Sequence, residues 1–318
     1  MEIRRDPSEI PFKKRERKEK AVSFGFPHSP QPVFVPVPSL TRLPEISRSR
    51  SCKGVYQQKG EKMGKLIAGV QMYTLRDYCK TVKETAETLK KVRGLGYEVV
   101  QISGMAEPKD MKEMKRMLDD NGLYACSTHT GYQSIIEEMD RVIEEHAMLG
   151  CEAIVCPGLP GELHSGEGYV KVAGEFSRVM GKIRKAGLVL GYHNHAIELR
   201  RYDGRAGLEI LMDSCKNLHA EIDTYWIQFG GGNPAEWIEK FSGRCSQLHF
   251  KDMGMIEHKQ VMPPIGEGNL NWKTIVSASR KAGVRYCLVE MDEPVMDGFQ
   301  SLKISLENML SWGIETAR

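Results

Sequence analysis

No stretch of this chain approaches the eighteen or so consecutive apolar residues needed to cross a bilayer, so no transmembrane segment and no membrane partner are expected. No Cys-x-x-Cys pair and no regular cysteine spacing occur either. The eight cysteines are scattered, most of them inside apolar strand-like runs, as at Cys126, Cys151, Cys156 and Cys287. That pattern argues against a disulfide framework and for buried free thiols in a reducing cytosol, which makes the expected location cytoplasmic. A basic stripe is also missing. The formal net charge of +3 hides a split: residues 1–62 carry 14 Lys+Arg against 7 Asp+Glu, a balance of +7, and the remainder carries 31 against 35, a balance of −4. A mildly acidic body excludes nucleic acid as the expected partner.

The first 62 residues are rich in Pro, Ser, Arg and Lys, and they lack helical or strand periodicity and the apolar core of a signal peptide. They are expected to form a disordered segment ahead of the folded domain. Lys59-Gly60-Glu61-Lys62-Met63 can be encoded by codons containing a ribosome-binding sequence just before an ATG. The expectation is therefore that translation starts at Met63 and that one domain spans residues 63–318. An intact mass matching all 318 residues in the native host would end that idea.

What the body does contain is repetition. Its 41% hydrophobic content suffices for a sizeable core. From Leu66 a short apolar run, then a segment with helical spacing, then a glycine turn recurs. The predicted strands are Leu66 to Met72, Glu98 to Ile102, Tyr124 to Ser127, Ala153 to Cys156, Val189 to His193, Ala220 to Asp223, Gln247 to Lys251 and Tyr286 to Met291. The predicted helices after them are Thr81 to Val92, Asp110 to Leu118, Ser134 to Leu149, Tyr169 to Ala186, Leu208 to Cys215, Pro234 to Phe241, Trp272 to Ala282 and Leu302 to Trp312. Eight strand-helix units with continuous strand hydrophobicity predict an α/β fold, a (β/α)8 TIM barrel. A doubly wound open sheet competes poorly, because no Gly-x-Gly-x-x-Gly follows the first strand.

In such a barrel, residues at the carboxyl ends of the strands gather on one face. Glu198, Asp223, His249 and Glu290 stand at or just beyond the ends of strands five to eight. Singly, a carboxylate there is a helix cap or salt-bridge partner and a histidine is a bonded core residue. Four consecutive strand ends bearing such groups point to a divalent metal. Three carboxylates and one imidazole are mostly hard oxygen donors, which favour manganese, with magnesium or cobalt as alternatives.

Tyr192-His193-Asn194-His195-Ala196-Ile197-Glu198, Asp223-Thr224-Tyr225-Trp226 followed by Gly230-Gly231-Gly232-Asn233-Pro234, His249-Phe250-Lys251-Asp252-Met253, Gly266-Glu267-Gly268 and Val289-Glu290 together resemble the xylose isomerase-like barrel superfamily. Within it they are most similar to the sugar phosphate isomerase/epimerase group that includes the inosose dehydratases. The resemblance implies one metal ion held by Glu198, Asp223, His249 and Glu290. A branch of the superfamily places its fifth-strand ligand earlier, at the position of His193, so His193 is the reserve ligand. Asn233 stands where relatives often carry Asp, consistent with a residue that only caps the next helix.

The implied substrate is a small keto sugar or keto cyclitol, and the implied chemistry is isomerisation or epimerisation through an enediolate, with dehydration as the alternative. Glu198 and Glu290 are the candidate proton-transfer pair on opposite faces of the substrate. Lys251, two residues beyond His249, is the third catalytic candidate and would stabilise the enediolate. His129, His195, Trp226 and Gln71 are candidates for binding substrate hydroxyls or stacking on the ring. An apurinic endonuclease on the same barrel would need more metal ligands and a basic face. A sugar-binding barrel without turnover would not need Lys251 and four filled ligand positions. Nothing in the sequence fixes the substrate, its phosphorylation or the number of subunits in a homo-oligomer.

Overall fold

Eight strands, β1 (Ile67–Gln71), β2 (Val99–Ile102), β3 (Tyr124–His129), β4 (Ala153–Cys156), β5 (Val189–His193), β6 (His219–Asp223), β7 (Gln247–Phe250) and β8 (Tyr286–Val289), run parallel and close into a barrel in which β1 pairs with both β2 and β8. The computed structural model describes residues 65–316, so the leader 1–62 and the expected start at Met63 lie outside the described residues. Among the described residues no helix is long and apolar enough to cross a membrane, and seven cysteines are free and buried.

The helices follow the predicted pattern, with these differences among others. The helix expected over Ser134–Leu149 is two helices, Tyr132–Glu137 and Met139–Leu149, broken at Glu138, whose backbone leaves the helical region at φ −118°, ψ 27°. An additional short helix, Thr224–Phe229, begins directly at the end of β6, its first turn capped by the Asp223 carboxylate. Asn233 caps the next helix through its side-chain oxygen, 3.0 Å from the Ala235 N–H, as its sequence position suggests.

Side chains alternate across each strand, so every second residue faces the barrel interior. The outward set, including Val70, Val100, Leu190, Ile222, Leu248 and Val289, packs against the helices in the main core. The inward set is layered. Ile67, Val99, Cys126, Tyr286 and Leu288 form a separate apolar plug toward the amino-terminal rim. Gly69 belongs there too: a Cβ on it would come within 2.6 Å of the Leu288 side chain. Above the plug the inward residues are polar, with Gln101, Ser127, Glu221 and Gln247 all buried. Polar groups sealed in a barrel must find partners, and these bond to one another.

The loop after β7 is organised by one carboxylate. Asp252 accepts from the backbone N–H groups of Met253, Gly266, Gly268 and Leu270 and from Trp272 Nε1. A Cβ at Gly268 would stand 2.4 Å from Asp252 Oδ1, which is why this turn carries glycine. The Asp252 and Gly266-Glu267-Gly268 motifs thus fold the loop. Asp252→Ala would leave several donors unpaired at about 1–3 kcal/mol each. The expected loss of stability is therefore at least about 3 kcal/mol, read as a lower urea midpoint with unchanged slope.

Candidate active site

Period-two alternation along β5, β6 and β7 carries His193, the pair Glu221 and Asp223, and the trio Gln247, His249 and Lys251 to the interior. Glu290 enters just beyond β8. Ligand-type atoms of His193, Asp223, His249 and Glu290 lie within 4.8 Å of one another, and all four residues are buried. His193 Nε2 is 3.4 Å from Asp223 Oδ2, and His249 Nδ1 is 2.8 Å from Glu290 Oε2 and 3.9 Å from Asp223 Oδ2. Asp223 divides its oxygens: Oδ1 caps the following helix through the Trp226 N–H at 2.9 Å, leaving Oδ2 to the cluster.

Lys251 is buried within this group. Its Nζ lies 3.1 Å from Asp223 Oδ2, 2.7 Å from Glu290 Oε2 and 2.9 Å from Asp292 Oδ2. Burial works against its charge, but the three carboxylates outweigh it and raise its pKa, so it is an ammonium. Burial likewise opposes charge on His249, yet Glu221 and Glu290 on its two sides push it up to about 10. Glu290 is held well below the usual carboxylate range, burial being overcome by Lys251 and His249. Burial also opposes charge on Glu221, and His249 and His129 lower it all the same.

The residues fit a metal ion on a structural ground. His249 Nδ1 and Glu290 Oε2 are both buried, and their contacts are ion pairs, with each other and from Lys251 to Glu290, rather than well-directed hydrogen bonds. Grouped with atoms of Asp223 and His193 inside 4.8 Å, they form a donor set for a cation. His193 Nδ1 faces the Pro157 carbonyl at 3.4 Å, which turns its Nε2 inward.

Glu198 does not join this group. It lies on a short turn, Ile197–Leu199, where Oε1 accepts from the Tyr192 hydroxyl at 2.7 Å and Oε2 from the His195 N–H at 2.8 Å, with His164 at 3.7 Å. Tyr192 precedes the inward His193 and so points outward, which places Glu198 between the barrel wall and the helix Gly166–Lys185. Burial raises its pKa. The fifth-strand member of the cluster is therefore His193, and Glu198 braces the loop that carries His195.

A cavity of about 390 Å³ opens on the cluster, lined by Tyr73, Ser103, His129, Pro157, His193, His195, Trp226, Glu290 and Asp292. Its size suits a small ligand. A larger groove of about 650 Å³ beside Tyr202 and Arg205 holds none of these clustered residues. His129 reaches Glu221 Oε2 at 3.0 Å. His195 packs between His193 and Trp226, with ring centroids 4.8 and 5.4 Å away; burial first, then His193, brings it down to about 3 and keeps it neutral. Gln71 is fully buried below the cavity, donating to Gln101 Oε1 at 2.5 Å, and does not line the cavity. Glu221, Asp292, Tyr73 and Ser103 are the residues sequence reasoning missed. Glu221 had a signal, since it stands two residues before Asp223 on one strand face.

The xylose isomerase-like TIM barrel family model matches residues 89–313. Among solved structures, a sugar phosphate isomerase/epimerase from Parabacteroides distasonis is 24% identical, with 79% of this chain and 95% of that one covered at a TM-score of 0.63. An L-ribulose 3-epimerase is 16% identical, with 80% and 95% covered at 0.61. A probable 3-DHS dehydratase involved in petrobactin synthesis in Bacillus anthracis is 13% identical, with 77% and 99% covered at 0.61. No curated protein matches this chain in sequence. At these identities the structural likeness carries the fold.

Proposed function

This chain belongs to the xylose isomerase-like TIM barrel family, and from that premise we propose that it is a divalent-metal-dependent isomerase or epimerase of a keto sugar or keto cyclitol, working through an enediolate. The observation that carries the reading is the convergence of His193, Asp223, His249 and Glu290 at the floor of a ligand-sized cavity. Two imidazoles and two carboxylates neutralise a divalent ion and are softer than three carboxylates with one imidazole. Manganese remains the first choice and cobalt gains ground on magnesium. A bound ion supplies Lewis-acid stabilisation of a developing oxyanion, worth roughly several kcal/mol.

The chain's own groups divide the remaining work. Glu290, whose Oε2 is paired with Lys251 and His249, is the carboxylate that takes a proton from the carbon beside the carbonyl. The Lys251 ammonium next to it stabilises negative charge on substrate oxygen. His129 and the neutral His195 orient hydroxyls, and the half-buried Trp226 offers a ring face to a sugar. Glu198, spent on Tyr192 and His195, is replaced as the second carboxylate of the cavity by Asp292. Dehydration is the second reading, favoured by Lys251: an ammonium beside the base can protonate a leaving hydroxyl.

The test is solvent deuterium incorporation across ketoses, inososes and 3-keto-glycosides with added manganese. The expected result is exchange into at least one of them that disappears on chelation. A protein that binds no divalent metal and exchanges none of the panel would leave a sugar-binding barrel without turnover.

A further inference from the structure

One layer beneath the four clustered residues, Glu221 is 1% exposed. Its Oε1 lies 2.7 Å from Gln101 Nε2 and 2.6 Å from Gln247 Nε2. Its Oε2 lies 3.0 Å from His129 Nε2 and 3.2 Å from His249 Nε2. A carboxylate among four nitrogen groups accepts from each of them, because it has no proton to give.

That one-way chemistry propagates. The Gln101 amide nitrogen is spent on Glu221 and, at 2.9 Å, on Ser127 Oγ, so its Oε1 is left facing His249 Nε2 at 2.7 Å. His249 Nε2 therefore meets two acceptors, and its opposite nitrogen, Nδ1, is the one beside Asp223 and Glu290. His129 is held in part the same way: Nε2 is 3.0 Å from Glu221 Oε2, Nδ1 lies 3.3 Å from the Ser103 hydroxyl at the cavity wall, and the Gln71 amide nitrogen lies 3.4 Å from both ring nitrogens, the shorter contact being the one to Glu221.

Building on the metal-dependent reading above, we propose that Glu221 is a positioning residue that holds the Nε2–H of both His129 and His249, reserving His249 Nδ1 for the metal ion, which displaces the proton there to solvent, and His129 Nδ1 for a substrate hydroxyl. A histidine whose distal nitrogen is anchored to a carboxylate has a single orientation and a stronger lone pair. One buried acceptor sets this for two strands at once, which no pairwise contact between the ligands would do.

Nitrogen-15 NMR of the histidine rings in wild-type protein tests this first. His129 is expected as the Nε2–H tautomer, and an Nδ1–H tautomer would overturn the proposal without any variant. In Glu221→Gln, an amide that donates as well as accepts is placed among four donors. His129 is then expected to lose its single tautomer, and manganese affinity by calorimetry to fall about 10- to 100-fold, with the circular dichroism unchanged. Glu221→Asp, which keeps the acceptor, is expected to restore the His129 tautomer. Unaltered metal affinity and unaltered His129 tautomer in Glu221→Gln would overturn the proposal while leaving the metal reading intact. Wild-type protein that binds no metal would defeat the functional reading, and the His129 tautomer would still report on Glu221.

Discussion

His193→Ala weakens divalent-metal binding by about 100-fold or more, whereas Glu198→Gln changes it by less than about tenfold: this is the expected outcome of a calorimetric titration with manganese. Loss of a partner that only orients a ligand costs about 10- to 100-fold, so loss of a ligand costs at least the upper end. His193 Nε2 stands 3.4 Å from Asp223 Oδ2 in the cluster, while both Glu198 oxygens are engaged by Tyr192 and His195 on the other side of the strand. Glu198→Gln keeps the shape and one acceptor, so its cost falls on the His195 loop and appears in KM. The reverse order of affinities would restore Glu198 as the ligand and remove His193.

Glu290→Gln is expected to slow solvent-proton exchange at the substrate carbon by about 10²–10⁴-fold at saturating manganese, the usual range for a lost general base. The substitution is close to isosteric, and Lys251 keeps Asp223 and Asp292 at 3.1 and 2.9 Å, so the fold should hold. The measurement is deuterium uptake by mass spectrometry, with circular dichroism as the check on folding. Exchange at the wild-type rate would remove Glu290 from proton transfer and leave it with the ion alone.

The barrel was legible in the sequence because each strand is a short apolar run and each helix has its own period, closed by a turn. Asp223, His249 and Glu290 were legible because a ligand-type residue at a strand end can face only a few places. The fifth strand was harder. His193 is its last residue and Glu198 lies five positions on, so only the inward-outward alternation separates them: Tyr192 is out, His193 in, and the following turn carries Glu198 outward. Glu221 was hidden for a different reason. Reading β6 as a buried strand assigns its members to a core, yet the barrel interior is a second environment in which a carboxylate is stable once four donors surround it. The break at Glu138 left no mark, since nothing in Ser134–Leu149 forbids a continuous helix.

Where β1 begins, Glu315 pairs with it: Ile67 and Glu315 form a parallel bridge, and the Glu315 N–H donates to the Leu66 carbonyl at 2.9 Å. Both points lie at the amino-terminal rim, a full strand length from the cavity. A surface tether attached beyond Glu315 would thus hold the molecule by its underside, and an immobilised protein would keep its mouth turned to the solution and open to ligands.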